Sequence, residues 1–389
     1  MSRLNEMLRE LCPAGVEYRP LKDLCKIKEK ETITKGDLID GGKYPVINSS
    51  REILGYYSKC NNEGDTLVLT SHGAHAGFCH YMREPFFAGA LCYPMQTSDV
   101  SVITTKFLYY LLKNGENHIR ENFVNRSGVP YVNFKALMSY ELPLPPLPSQ
   151  DEIVRILDAF TSLTAELTAE LTARKRQYAY YRDRLLTFGD EVPRVRLGEV
   201  CRFQNGFAFK SETFLDSGFP ILRITNISDG RLSDEGYMYF SPDDYKENLD
   251  NYIVKPGNII VAMSGATTGK IGYNYSNNEY YLNQRVGMFL PVERNLNNRF
   301  LYHWLLGQSR NILAISSGTG AQPNLSSVKM MKLKIPLPPL PEQNRIAAIL
   351  DRFDALCNDL ADGLPAEIAA RKKQYAYYRD KLLTFQAGK

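Results

Sequence analysis

The chain has 389 residues, 44% of them hydrophobic and 23% charged, with 47 basic and 43 acidic side chains and a net charge of +4. Such a composition describes a folded protein of two or three domains and excludes disordered or collagen-like classes. No run of 18 apolar residues occurs, so no membrane-spanning helix is expected; the mild positive balance permits a nucleic-acid partner without arguing for one.

Residues 1–12 carry Leu4, Met7, Leu8 and Leu11 at helical spacing and predict a short amphipathic helix. The same stretch lacks the apolar core of an export signal, and the odd number of scattered cysteines, with no C-x-x-C, reads as reduced thiols. Both observations lead to the expectation of a cytoplasmic protein. Residues 13–142 read as α/β with many short strands. Thr66-Leu67-Val68-Leu69 predicts a strand, followed by the Gly-rich turn His72-Gly73-Ala74, and Phe107 to Lys113 predicts a helix. His72, His75, Cys79 and His80 crowd together, but they lack the spaced ligand pairs of a structural zinc site, so no metal is expected.

A proline-rich turn from Pro143 then opens a long helical pattern, with Ile153, Leu157, Phe160, Leu163, Leu167, Leu171, Tyr178, Tyr181 and Leu185 on one stripe. Unbroken from Ser149 to Phe188, this helix would be about 60 Å long. A stripe of that length needs a partner helix. The tetrapeptide Thr164-Ala165-Glu166-Leu167 is repeated at once as Thr168-Ala169-Glu170-Leu171.

Residues 190–335 weakly repeat the first domain, with Gly64 matching Gly257 and Phe107 matching Phe300. The second helical copy starts at Pro336, at that same offset from Pro143. It carries an insertion containing Gly363-Leu364-Pro365, where the helix should break. The expected fold is therefore two α/β (α+β) globular domains joined by two long helices that form an antiparallel coiled coil, as an internal pseudo-two-fold repeat.

Gly265-Ala266-Thr267-Thr268-Gly269-Lys270 superficially suggests a phosphate-binding loop, but the spacing is one residue short and Ile271 follows the lysine. Two readings stay open: a turn that offers Thr267 and Lys270 to DNA, or a purely structural turn. Ser241 followed by Asp244 reads as a helix start rather than a nuclease carboxylate set. No methyltransferase motif or cofactor glycine loop occurs. Arg174-Lys175-Arg176 and Arg371-Lys372-Lys373 read by default as solvated helical faces. The tyrosines beside them (Tyr178, Tyr180, Tyr181, Tyr375, Tyr377 and Tyr378) cover more than one face, as a dock for partner proteins would.

Two variable domains joined by helices that begin P-L-P-P-L-P-x-Q and end R-K-x-Q-Y-x-Y-Y-R-D-x-L-L-x-F resemble the specificity subunit of type I restriction-modification systems. In the second domain Gly257-Asn258-Ile259-Ile260, the Gly-Lys loop and Asn283-Gln284-Arg285 are similar to that family's target-recognition domains; the first domain departs from the pattern at Ser71 to Gly77. The resemblance implies target-recognition domains at 1–142 and 190–335 and conserved helices at 143–189 and 336–389. It implies a non-catalytic subunit that reads a bipartite, asymmetric double-stranded DNA target. The helices would set the spacer and dock two modification (methyltransferase) subunits, and restriction subunits would join the complex. S-adenosylmethionine, ATP and magnesium are expected on those partners and no cofactor in this chain. Candidate base readers are Arg51, His72, His75, Arg126, Tyr131 and Asn133 in the first domain and Lys210, Arg223, Asn226, Thr267, Lys270, Gln284, Arg285 and Gln322 in the second. The alternatives are a stand-alone DNA methyltransferase or nuclease, and a coiled-coil adaptor without DNA contact.

Overall fold

The computed structural model describes residues 10, 13, 15–228, 230–233, 235–316, 323–359 and 362–386. Apart from Glu10, the helix expected at residues 1–12 lies outside them. The chain forms two compact units, one of Met1–Thr168 with Ile368–Lys389 and the other Ala169–Glu367.

In the first unit, an antiparallel pair, Glu17–Pro20 against Glu141–Leu144, brings the two ends of the globular domain together. Between them lies a four-stranded antiparallel sheet in the order Cys25–Ile27, Cys92–Thr97, Thr66–Thr70, Cys79–Met82. A second sheet has the order Gly55–Tyr57, Tyr44–Ile47, Phe87–Ala88. Strand Thr66–Thr70 is buried at every position because both its faces are covered. Leu67 and Leu69 join the core of the helix Thr105–Asn114, while Val68, on the opposite face, packs with Ile47 and Phe86. The two-residue side-chain period of a strand accounts for that division.

The second unit repeats the plan. Arg194–Arg196 pairs antiparallel with Lys334–Pro336. Ile259 and Val261 of the central strand Ile259–Ala262 face the core of the helix Asn298–Gly307, and Ile260 and Ala262 face the other cluster. Here the main sheet grows to six strands, because the hairpin Ile227–Ser228 with Gly230–Leu232 adds to the edge at Ile271–Tyr273.

The first long helix, α1, runs unbroken from Leu147 to Leu185. Its counterpart is broken where the inserted Gly-Leu-Pro predicts, into α2 (Leu340–Asn358) and α3 (Leu364–Leu382). At Gly363 a Cβ would lie 2.5 Å from the Asp359 carbonyl oxygen and 2.8 Å from that of Ala355, so only glycine fits this junction. Helix pairing is antiparallel within each unit. In the first, Ile153 and Leu157 near the start of α1 share a core with Leu382 and Leu383 at the end of α3, and Phe160 stacks on Tyr378 at 5.4 Å. In the second, Tyr181 near the end of α1 stacks on Phe353 of α2 at 5.4 Å.

The P-x-Q that opens each long helix now has a physical reason. Gln150 is fully buried; its Oε1 accepts the Thr104 N–H at 3.1 Å and its amide donates to the carbonyls of Val102 at 2.9 Å and Pro145 at 2.8 Å. Gln343 repeats all three bonds, accepting from Asn297 N–H at 2.8 Å and donating to Asn295 at 3.1 Å and Pro338 at 2.8 Å. One side chain thus fastens the long helix to the loop that caps the preceding helix in each unit.

Candidate nucleic-acid interface

In each unit the hairpin after the central strand ends in a loop held by the same backbone bonds. Thr70 N–H donates to Phe78 at 2.9 Å, as Ala262 N–H does to Lys270 at 2.9 Å. Gly77 donates back to Thr70 at 2.8 Å, as Gly269 does to Ala262 at 2.8 Å. Gly73 and Gly265 reach across to the carbonyls of Pro130 and Pro323, at 2.8 and 3.3 Å. All four glycines have positive φ, between 81° and 89°, which other side chains rarely tolerate. The glycine spacing that suggested a phosphate loop is therefore a backbone requirement, and the two loops share a frame despite unrelated side chains. Ser71 and Met263, at the start of each loop, donate to Leu91 at 2.9 Å and Arg285 at 2.8 Å, and accept from Val132 at 2.8 Å and Leu325 at 2.7 Å. Three segments distant in sequence thus meet at one tip in each unit.

In the first unit this tip gathers His72, His75 and Tyr131. His72 stacks beside Tyr131 at a centroid distance of 6.2 Å, and its Nδ1 lies 2.8 Å from the Ser71 hydroxyl. The Tyr131 hydroxyl, on an exposed ring, accepts from Asn125 at 3.0 Å. Asn133 is exposed but commits its Oδ1 to capping the helix Phe134–Met138, accepting from Ala136 N–H at 3.2 Å. Arg126 is exposed nearby and donates to Arg120 at 3.4 Å. Arg51 stands off the tip; its guanidinium lies 5.4 Å from the Phe78 ring and borders a cleft of ≈ 610 Å³ also lined by His80, Tyr109 and Lys113. The histidines and Cys79 do not converge as ligands: Cys79 is buried, with its thiol pushed up by that burial, and His80 Nε2 sits 3.1 Å from the Ser50 carbonyl. Among the described residues no cluster of three or more metal-ligating side chains forms.

In the second unit the tip presents Thr267, Lys270, Gln284 and Arg285. Thr267 is half-buried, with its hydroxyl 3.4 Å from the Ile224 carbonyl, and the other three are exposed. Gln322 lies outside the described residues. Lys210 is exposed, and its backbone N–H donates to the Tyr245 hydroxyl at 3.0 Å. Arg223 is half-buried and donates to Gly236 at 3.3 Å. Asn226 departs from expectation. At 1% exposure its amide accepts from Arg223 N–H at 3.0 Å and donates to the Glu235 and Gly236 carbonyls at 3.3 and 3.2 Å, so it holds its own loop together and has nothing left for a base.

The tyrosines of the helix ends divide. Tyr178 is only 7% exposed and its hydroxyl lies 2.8 Å from His303 Nδ1. His303 Nε2 in turn is 2.7 Å from Asp351, which also pairs with Arg299 at 2.6 Å. Burial pushes the His303 imidazole down from its ordinary value. It is therefore neutral, accepting from Tyr178 and donating to Asp351, and Tyr178 is a core residue rather than a dock. In the first unit Asp158 bonds to Tyr110 and pairs with Lys106 at 3.3 Å, in the positions of Asp351, His303 and Arg299. Tyr181, Tyr375 and Tyr378 are half-buried against the helix cores. Tyr180 and Tyr377 stand out at 58% and 60% exposure, with Arg184 3.3 Å from the Tyr180 hydroxyl and Lys381 5.7 Å from the Tyr377 ring. Sequence reading missed Leu91 and Val129, which are exposed at the first tip; both are apolar, and the repeat at its offset of 193 sets Cys92, not Leu91, against Arg285.

A family model described as the type I restriction modification DNA specificity domain matches residues 13–174 and again 190–370. The chain is 32% identical over 406 aligned residues to the EcoR124I/EcoR124II specificity subunit of Escherichia coli, covering 99% of this chain and 98% of that one. It is 26% identical to the MjaVIII specificity subunit of Methanocaldococcus jannaschii, covering 87% and 89%. Among solved structures, the type I restriction-modification S subunit from M. genitalium is similar with a TM-score of 0.68 at 19% identity, covering 95% of this chain and 96% of that one. A chain from a structure titled for the assembly and conformational transition of the type I restriction-modification system gives a TM-score of 0.57 at 18% identity, covering 95% and 98%.

Proposed function

Because the chain belongs to the family of type I restriction-modification DNA specificity subunits, we propose that its globular domains, 1–142 and 190–335, each read one half of a bipartite, asymmetric double-stranded DNA target. As a member of that family it is a DNA-recognition subunit and not an enzyme. The observation that carries the finer reading is the loop tip: one backbone frame, built twice, displaying different side chains. A fixed frame with variable residues is what two independent readers of unlike half-sites require.

The helices set the number of unread base pairs between the half-sites and dock two modification subunits. Tyr180 and Tyr377, with their neighbouring cations, supply matching exposed aromatic anchors at the two helix ends. Adenine methylation with S-adenosylmethionine, and ATP- and magnesium-dependent work, fall to the modification and restriction subunits. The complex acts on DNA in the cytoplasm; among the described residues no helix is long and apolar enough to cross a membrane.

The test is a domain exchange. Residues 190–335 are replaced by the equivalent domain of a relative, and methylated adenines are mapped across the genome of cells carrying the modification subunits. One half of the methylated motif should change and the other stay as it was. A change in both halves, or in neither, would sink independent readout. Purified chain alone should transfer no methyl group from S-adenosylmethionine to DNA; transfer would revive the stand-alone methyltransferase.

A further inference from the structure

Leu91 and Arg285 occupy one position in the two tips. The carbonyl of each accepts the N–H of the first loop residue, Ser71 at 2.9 Å and Met263 at 2.8 Å. Ala90 and Gln284 precede them in the chain. The two positions are therefore directly comparable between the domains, and their chemistry is opposite: small and apolar in the first, amide and guanidinium in the second.

The backbone that carries Arg285 is held on several sides. Its own N–H donates to Asn283 Oδ1 at 3.3 Å, and Asn283 N–H donates to Leu222 at 3.0 Å. Behind it, a Cβ on Gly206 would come within 2.0 Å of the Asn283 carbonyl oxygen, so this close approach demands glycine. A phosphate contact needs only a cation on a flexible stem. A base contact needs a side chain launched from a fixed point, and this segment supplies one. Arginine donates two bonds to guanine O6 and N7, while an apolar side chain at the same place meets the thymine methyl.

We propose that Arg285 is a specificity-determining residue that fixes a guanine in the half-site read by the second domain. Leu91, in the same position of the first domain, leaves that half-site without this guanine contact and favours thymine instead. The proposal rests on the DNA-reading function proposed for the two domains.

The experiment uses the assembled complex of the full chain with its modification subunits. Methylated adenines are mapped for the wild type, Arg285→Lys and Leu91→Arg, and duplexes differing by one base pair compete for binding to each complex. Arg285→Lys keeps the charge and the fold but loses the planar fork. Its discrimination for guanine at one base pair of the second half-site should fall by about 5- to 150-fold, with the first half-site unchanged. Leu91→Arg should add a guanine preference to the first half-site. Arg285→Lys with an unchanged motif and wild-type discrimination overturns the proposal. So does an Arg285→Leu complex that loses affinity equally for every duplex, the signature of a phosphate contact. A wild-type bipartite motif lacking guanine in the half-site of residues 190–335 defeats this proposal while leaving the functional reading intact. A wild-type complex that marks no bipartite motif defeats the functional reading itself.

Discussion

Gln150 and Gln343 fasten each globular domain to its long helix, and each satisfies three backbone groups, one of them fully buried. Replacing Gln343 with Ala strands an N–H and two carbonyls at a cost of about 1–3 kcal/mol per buried group left unpaired. Denaturant unfolding should show that loss, while Gln343→Glu should be no milder, since a carboxylate cannot donate to the two carbonyls. His303 makes a second residue-scale prediction. Burial lowers its proton affinity, so below its ordinary pKa of 6.5 the unfolded chain binds a proton there that the folded one resists. Its contribution to stability is complete above that value and is lost as pH falls through it towards the lower folded value. The thermal midpoint should therefore drop as pH falls below 6.5, and His303→Gln should flatten that part of the profile. An equally steep slope in the variant would remove His303 from the explanation.

At the scale of elements, α1 is the part that invites a length experiment. Its tandem Thr-Ala-Glu-Leu units lie on a mostly exposed stretch where the half-buried Leu163, Leu167 and Leu171 continue the apolar stripe. One more tetrapeptide adds about 6 Å and rotates the remainder of the helix by roughly 40°, a stutter that a helix pair absorbs. Since one base-pair step is about 3.4 Å, and some of the length goes into supercoil adjustment, a third unit after Leu171 should widen the unspecified gap by one or two base pairs. Both half-site sequences should stay the same in the methylome of the insertion variant. Full activity with an unchanged gap would show that α1 does not set the distance.

At the scale of the whole molecule, charge limits what the chain does alone. If the chain reads two half-sites as proposed, a net charge of +4 spread over both would neutralise few phosphates and release few counterions. The isolated chain should bind target duplex weakly in fluorescence anisotropy, with a shallow dependence on salt, and gain affinity once modification subunits are added. Tight, sequence-specific binding by the chain alone would contradict this.

The duplication, the long helix from Leu147 to Leu185, the break at Gly363 and the strand at Thr66–Thr70 were all legible in the sequence, because periodicity, proline and glycine act through neighbours a few residues away. The fate of single polar residues was not. Periodicity sets Tyr178 on the apolar stripe and leaves Tyr180 off it, as the structure has them, but it does not show that Tyr178 bonds to His303. Asn226 looked like a base reader and is a loop brace, while Leu91, which no local pattern singles out, stands in the structural position of Arg285. Each of these outcomes depends on partners far away in the chain. The sequence alone determined the elements and their repetition; only the tertiary structure decided which side chains are used up in holding the frame and which remain free to meet DNA, because that choice is made by hydrogen bonds and burial between segments that no local pattern encodes.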